Sequence, residues 1–144
     1  MTEIFNILLI EDNSNEVLLI KNALTQGKIL HELHIVENGS EALAFLYRKE
    51  PYSFVTQPDL ILLDLNLPEL DGWEVLEKTK SDPNLRRIPV VILTNSMTDL
   101  QISKAYDMHV NGYIIKPVSY DKFTEIIQKT CNFWLNIVAL PKKD

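Results

Sequence analysis

Five residues with related chemistry stand at the ends of four short apolar runs. Glu11 and Asp12 follow "FNILLI", Asp64 ends "DLILLD", Thr94 ends "IPVVILT", and Lys116 ends "GYIIK", with Pro117 next. Three close carboxylates repel one another unless a cation neutralises them. A hard divalent ion does so, and Mg2+ in particular binds through a few carboxylates while keeping several waters. Lys116 adds a further positive charge. Metal, lysine and hydroxyl together form a receptor for a phosphoryl group, whose equatorial oxygens must be neutralised. One of the carboxylates is then a candidate acceptor, because aspartate is a competent nucleophile that forms an acyl phosphate. Taken singly, each residue also has an ordinary reading. Asp12 would serve as a helix N-cap, Asp64 as a turn residue before Pro68, Thr94 as a strand end and Lys116-Pro117 as a turn. It is the set of five, on four strand ends, that points to chemistry.

The elements that position them follow from hydrophobic periodicity. "FNILLI" (Phe5 to Ile10) reads as a strand. "SNEVLLIKNALTQ" reads as a helix with Ser14 as N-cap and Gly27 as stop signal. Leu33 to Glu37 alternates as a strand, and Ser40 to Lys49 is helical. Pro51 to Pro58 is a long loop. Strands over "DLILLD", Ile88 to Thr94 and Gly112 to Lys116 alternate with helices over "WEVLEKTKS" and "DLQISKAYDM". A last helix starts near Ser119 or Asp121. The pattern βαβαβαβαβα with near-continuous apolar strands predicts an α/β fold: a doubly wound parallel sheet covered on both faces. Right-handed crossovers bring every strand's C-terminal end to one rim, where ligands of such sheets bind. All five residues should meet there.

Composition narrows the class. The chain has 144 residues, 46% hydrophobic, with 14 Lys and Arg against 20 Asp and Glu, a net charge of −6. The acidic balance argues against nucleic-acid binding, which needs a basic footprint. Lys142 and Lys143 read as solvated charge. No apolar run is long enough to span a membrane, no signal peptide opens the chain, and the lone Cys131 suits a reducing compartment. A cytoplasmic location is therefore expected, with Cys131 acting as a small apolar helix residue.

With "LLIEDN", "LILLDLNLPELDG", "VVILTNS" and "GYIIKP" in this order and spacing, the chain resembles a response-regulator receiver domain of two-component signalling, from roughly Asn6 to Ile127. The resemblance implies a five-stranded flavodoxin-like sheet in order 2-1-3-4-5, one receiver domain over 1–144 with a core of about 5–130 and a C-terminal helical extension of about 131–144. It implies that Asp64 is the phosphoacceptor and that Asp12 binds Mg2+ directly. Glu11 would act on the metal through water, and Asp64 and the carbonyl of Asn66 would complete the protein's share of the shell. Lys116 would pair with the phosphoryl oxygens. Thr94 and Tyr113 would form the switch, and the bond before Pro117 would be cis. Glu11 in place of the commoner Asp, Asn95 after Thr94 and Asn66 after the acceptor are departures or variable positions that bear on the lifetime of the phosphorylated form.

The Pro51 to Pro58 connection, "RRIPVVILTNS" and "NFWLNIVALP" further resemble the stand-alone receivers paired with cyanobacterial and bacterial phytochromes. The implied partner is a sensor histidine kinase, phytochrome-like or hybrid. Beyond Ile127 there is room for about one helix and a tail, so no DNA-binding output domain is expected. Output would run through protein contacts or a histidine phosphotransfer protein. In the tail, Ile126, Ile127, Thr130 and Trp134 read as the core stripe. That leaves Phe133, Leu135 and Val138 as surplus apolar surface, read as a homodimer interface in preference to packing over the chain's own last strand and fourth helix.

Two other classes fit less well. A haloacid-dehalogenase-type phosphatase needs a second acid two residues after its nucleophile, where this chain has Asn66. A metal enzyme built on His31 and His34 has no third ligand nearby in the sequence.

Overall fold

The computed structural model describes residues 4–65, 67 and 71–142. In chain order the elements are β1 (Phe5–Ile10), α1 (Ser14–Gln26), β2 (His31–Val36), α2 (Gly39–Leu46), β3 (Leu60–Asp64), α3 (Gly72–Ser81), β4 (Val90–Thr94), α4 (Asp99–Asp107), β5 (Gly112–Ile115), α5 (Tyr120–Asn132) and a π-helical turn (Phe133–Ile137). The five strands form one sheet in the order β2-β1-β3-β4-β5, and every pairing is parallel. This is the doubly wound arrangement that the strand–helix alternation predicts, in the flavodoxin-like strand order that the receiver resemblance implies.

Strand alternation divides the core in two. Leu8, Ile10, Ile61, Leu63, Val90 and Ile92 point to one face and pack with Ala42, Phe45, Val75, Leu76 and Ala105 of α2, α3 and α4. Ile7, Leu9, Leu60, Leu62, Val91 and Leu93 point to the other and pack with Ile20, Leu24, Phe123 and Ile127 of α1 and α5. Successive side chains of a strand face opposite ways, so a strand apolar at every position must be covered on both sides.

Helix starts follow side-chain capping. Asn13, Asn38, Asp71, Thr98 and Ser119 each accept a backbone N–H from the first turn of the helix that follows. For α1 the cap is Asn13, one residue before the expected Ser14. Its Oδ1 accepts from the N–H groups of Asn15 and Glu16 at 3.0 and 3.1 Å. Helix α2 stops at Leu46, short of the expected Lys49. Arg48 adopts a left-handed backbone (φ 54°), and the Lys49 N–H reaches back to the Ala44 carbonyl at 2.8 Å. These bonds close the helix as a glycine-type cap would, with no glycine in place.

The tail corrects one expectation. Leu135 is 4% exposed and belongs to the core beneath α1 and α5, so it is not an interface residue. The buried stripe of α5 and the turn after it is Phe123, Ile127, Cys131 and Leu135; Ile127 was expected there, while Ile126, Thr130 and Trp134, each one residue before a member of the stripe, are half-buried. Phe123, Ile127 and Cys131 lie in regular α-helix, and Leu135 carries their spacing of four into a wider turn. The Val138 N–H bonds to the Phe133 carbonyl at 2.9 Å, an i→i+5 bond. This wider turn rotates the helix end away from an α-helical continuation. Val138 is half-buried and shares a groove with Ile4, Phe5, Asp59 and Leu140, at the end of the sheet opposite the strand C-termini. The tail thus packs on its own chain, beneath the starts of β1 and β3 rather than over β5 and α4. Phe133 and Ile137 stay exposed, at 48% and 66%. Cys131 is fully buried, and burial pushes its thiol up to about 12, so it behaves as the small apolar residue expected.

Candidate phosphoacceptor site

The parallel register brings four strand ends to one rim. Ile10 pairs with Leu63, Asp64 with Leu93, and Thr94 with Ile115. Glu11 follows β1 directly, and its N–H continues the ladder to the Val36 carbonyl at 3.0 Å. Lys116 follows β5, with its N–H on the Thr94 carbonyl at 2.7 Å. Asp64 sits between them at the partly exposed tip of the central strand. This resolves the placement of a carboxylate after four buried residues: Asp64 is where that strand leaves the core.

Gly72 fixes what lies behind the acceptor. Its N–H donates to the Leu65 carbonyl at 3.1 Å. A Cβ added there would lie 2.6 Å from both the Asp64 carbonyl oxygen and the Leu65 Cα, closer than real contacts allow. The start of α3 is therefore pressed against the strand end, and any larger residue would displace one or the other.

Three carboxylates converge. Glu11, Glu16 and Asp64 each offer an oxygen within 4.8 Å of the others. The Lys116 ammonium bridges two of them, at 3.3 Å to Glu11 Oε1 and 2.6 Å to Glu16 Oε2. The lysine side chain is 7% exposed and that of Glu11 2%. Glu11 Oε2 is buried and has no hydrogen-bond partner among the described residues. A buried carboxylate oxygen without a donor is costly. One lysine facing three carboxylates leaves excess negative charge. Both features suit a hard divalent cation with oxygen ligands.

Not every expected residue joins this group. Glu16, from the first turn of α1, was not anticipated from strand ends. Asp12 is exposed and lies outside the three-carboxylate group. Asn66 lies outside the described residues. Asn95 is exposed beside the rim. The Lys116–Pro117 bond is trans, which corrects the cis expectation; among the described residues the cis bond is Glu50–Pro51. The trans form of an X–Pro amide is favoured by about 0.5–1 kcal/mol unless its surroundings select otherwise. With the trans bond Lys116 already reaches Glu11 and Glu16. The two histidines of β2 do not form a metal group. His31 Nδ1 contacts the Ile29 carbonyl oxygen at 2.6 Å, and His34 packs on Phe45.

Thr94 and Tyr113 meet at one residue. Thr94 is 1% exposed, and its Oγ1 accepts the Ser96 N–H at 3.2 Å. The Tyr113 hydroxyl donates to the Ser96 carbonyl at 3.0 Å. Both candidate switch residues thus hold the β4–α4 connection at the same residue, through the two peptide units that flank Ser96.

A doubly wound parallel sheet that gathers an aspartate, further acids, a lysine and a threonine at the C-terminal rim defines the receiver class of signalling module. Comparison with known proteins agrees. Residues 7–128 match the model of the response regulator receiver domain, and the chain belongs to that family. It is 42% identical over 135 residues to the response regulator Rcp1 of Synechocystis sp., covering 94% of this chain and 92% of that protein. The crystal structure of the phosphorylated cyanobacterial phytochrome response regulator RcpA superposes with a TM-score of 0.93 at 44% identity, covering 97% of this chain and all of that one. The Mn2+-bound form of Rcp1 gives a TM-score of 0.91 at 41% identity, over 96% and 99% of the two chains. Response regulators of this family take a phosphoryl group on an aspartate with a divalent metal, and the acidic group at this rim fits such an ion.

Proposed function

We propose that this chain is a single-domain response regulator whose Asp64 takes a phosphoryl group from a sensor histidine kinase, with Mg2+ as its cation. The receiver unit runs from about residue 5 to 130, and the chain beyond it is an extension that is helical as far as Ile137. The observation that carries the reading is the placement of Asp64 among Glu11, Glu16 and Lys116 within a few ångströms at the end of a buried strand. Glu11, Asp12, Asp64 and the Asn66 carbonyl would hold the ion, which supplies charge neutralisation when bound. The Asp64 carboxylate attacks phosphorus, the P–N bond of phosphohistidine breaks, and the imidazole leaves with the electron pair. Lys116 then neutralises the phosphoryl oxygens. Thr94 turns its hydroxyl toward them and gives up the Ser96 N–H, and Tyr113, bound to the carbonyl of the same residue, follows. The domain assists its own phosphorylation and hydrolysis without being a turnover enzyme.

The likeness to RcpA and Rcp1 supports a phytochrome-like or hybrid kinase as donor. Output would pass through protein contacts or a histidine phosphotransfer protein, with no role for nucleic acid. No helix among the described residues is long and apolar enough to cross a membrane, and the reading places the protein in the cytoplasm. The test is phosphorylation by acetyl phosphate with Mg2+, followed by intact mass. Wild type should gain one labile phosphoryl group, and chelation of the metal should suppress it. A wild type that gains none with metal and donor in excess would refute the reading.

We also propose a homodimer through the tail, now resting on Phe133 and Ile137, which remain exposed on the same π-helical turn. An isologous contact would bury both residues twice. Phe133→Asp with Ile137→Asp should sediment as a folded monomer where wild type sediments as a dimer. A wild type that is monomeric at high micromolar concentration, phosphorylated or not, would end this reading.

A further inference from the structure

We propose that Glu16 is a positioning residue that holds Lys116 in the unphosphorylated protein and competes with the phosphoryl group for it. The inference rests on Asp64 being the phosphoacceptor, and concerns what restrains that acceptor.

The Lys116 ammonium is nearly removed from water, so its charge must be met by protein. Two carboxylates meet it, and they differ. Glu11 is 2% exposed and contacts the ammonium at 3.3 Å; it is a fixed partner. Glu16 makes the shorter contact, 2.6 Å, from a side chain that is 25% exposed and borne on the first turn of α1. Its backbone is secured by the Asn13 cap, while its carboxylate has solvent to move into. Glu16 is therefore the exchangeable partner. Its oxygen also lies within 4.8 Å of an Asp64 oxygen. An arriving phosphoryl donor thus meets a negative charge beside the acceptor, and a lysine already engaged. Both raise the barrier to transfer, since a charge-assisted hydrogen bond must be exchanged for another.

Glu16 also contributes to the charge that attracts a cation, together with Glu11 Oε2, which has no hydrogen-bond partner among the described residues. Its removal then has two effects of opposite sign. Cation affinity falls, because one of three carboxylates is neutralised. Phosphoryl transfer at saturating cation rises, because the lysine is released and the repulsion is gone. A residue with a merely structural role would give neither a gain in rate nor this divergence.

The experiment uses the full chain as wild type, Glu16→Gln and Glu16→Asp. The Mg2+ dissociation constant of each is first measured from the thermal midpoint against metal concentration. Phosphorylation by acetyl phosphate is then followed at Mg2+ saturating for each variant, with the Lys116 side-chain ammonium observed by nitrogen-15 NMR. Glu16→Gln should bind Mg2+ several-fold more weakly, accept phosphate several-fold faster at saturation, and shift the Lys116 resonance. Glu16→Asp, which keeps the charge on a shorter arm, should fall between the two. A Glu16→Gln rate equal to or below that of wild type at saturating Mg2+ would overturn the proposal while leaving Asp64 as acceptor. A wild type that takes no phosphoryl group under these conditions overturns both readings.

Discussion

Leu135→Asp should leave the chain unfolded at room temperature, and Leu135→Ala should lower its unfolding free energy by about 2–5 kcal/mol. Leu135 is 4% exposed and is the last member of the stripe Phe123, Ile127, Cys131 and Leu135. Truncation to alanine opens a cavity beneath α1 and α5. An aspartate in its place would carry a charge into an apolar site with no partner, and that costs several kcal/mol more. Against a total stability of about 5–15 kcal/mol for an ordinary domain, the sum leaves little or nothing. Leu100, on α4 and 81% exposed, is the control: Leu100→Ala should change stability by less than about 0.5 kcal/mol. Denaturant unfolding of the two alanine variants decides the point. Equal losses from both would mean that the π-helical turn does not seat Leu135 in the core.

Mg2+ should raise the thermal midpoint of the unphosphorylated protein, and Glu11→Gln should remove most of that rise. A ligand that binds the folded chain alone stabilises it by about 2.7 kcal/mol at 100-fold excess over its dissociation constant. For a chain of this size that is roughly 5–10 °C. The sign without metal is equally informative. Glu11 is 2% exposed with one oxygen unpartnered among the described residues, and Glu16, 2.6 Å from Lys116, remains to meet the ammonium when Glu11 loses its charge. Metal-free Glu11→Gln should therefore melt at or above the wild-type midpoint, because a costly buried charge is gone. A calorimetric scan in which Mg2+ leaves the wild-type midpoint unmoved would count against a cation at this rim.

These sites were legible in the sequence to different degrees, for physical reasons. Asp64, Thr94, Lys116 and Glu11 could be placed together because a parallel sheet sends all its strand C-termini to one rim, and strand ends show as the ends of apolar runs. Glu16 was hidden by the same logic. It sits on a helix, where an acid in the first turn reads as a complement to the helix dipole. Its reach back to Lys116 appears only once α1 is placed against the sheet. The spacing Asp12-x-x-x-Glu16 was the available signal, since a residue one turn into α1 remains near the rim that α1 leaves. Leu135 reads as surplus when the stripe is drawn through Thr130 and Trp134, one residue early, although Phe123, Ile127 and Cys131 set it within α5 before the i→i+5 turn begins. The spacing of four from Phe123 through Ile127 and Cys131 to Leu135 was visible, and it marks the true stripe. The Lys116–Pro117 isomer was inferred from resemblance, with no residue pattern of its own behind it.

If Asp64 carries the phosphoryl group, the modified side chain can be mapped chemically. Wild type treated with acetyl phosphate and Mg2+ is reduced with borohydride, which converts an aspartyl phosphate to homoserine, and the peptides are sequenced by mass spectrometry. Homoserine is expected at position 64 and nowhere else, with no adduct in Asp64→Asn. Homoserine at Asp12 or another acid in wild type, or a full-yield adduct in Asp64→Asn, would contradict it.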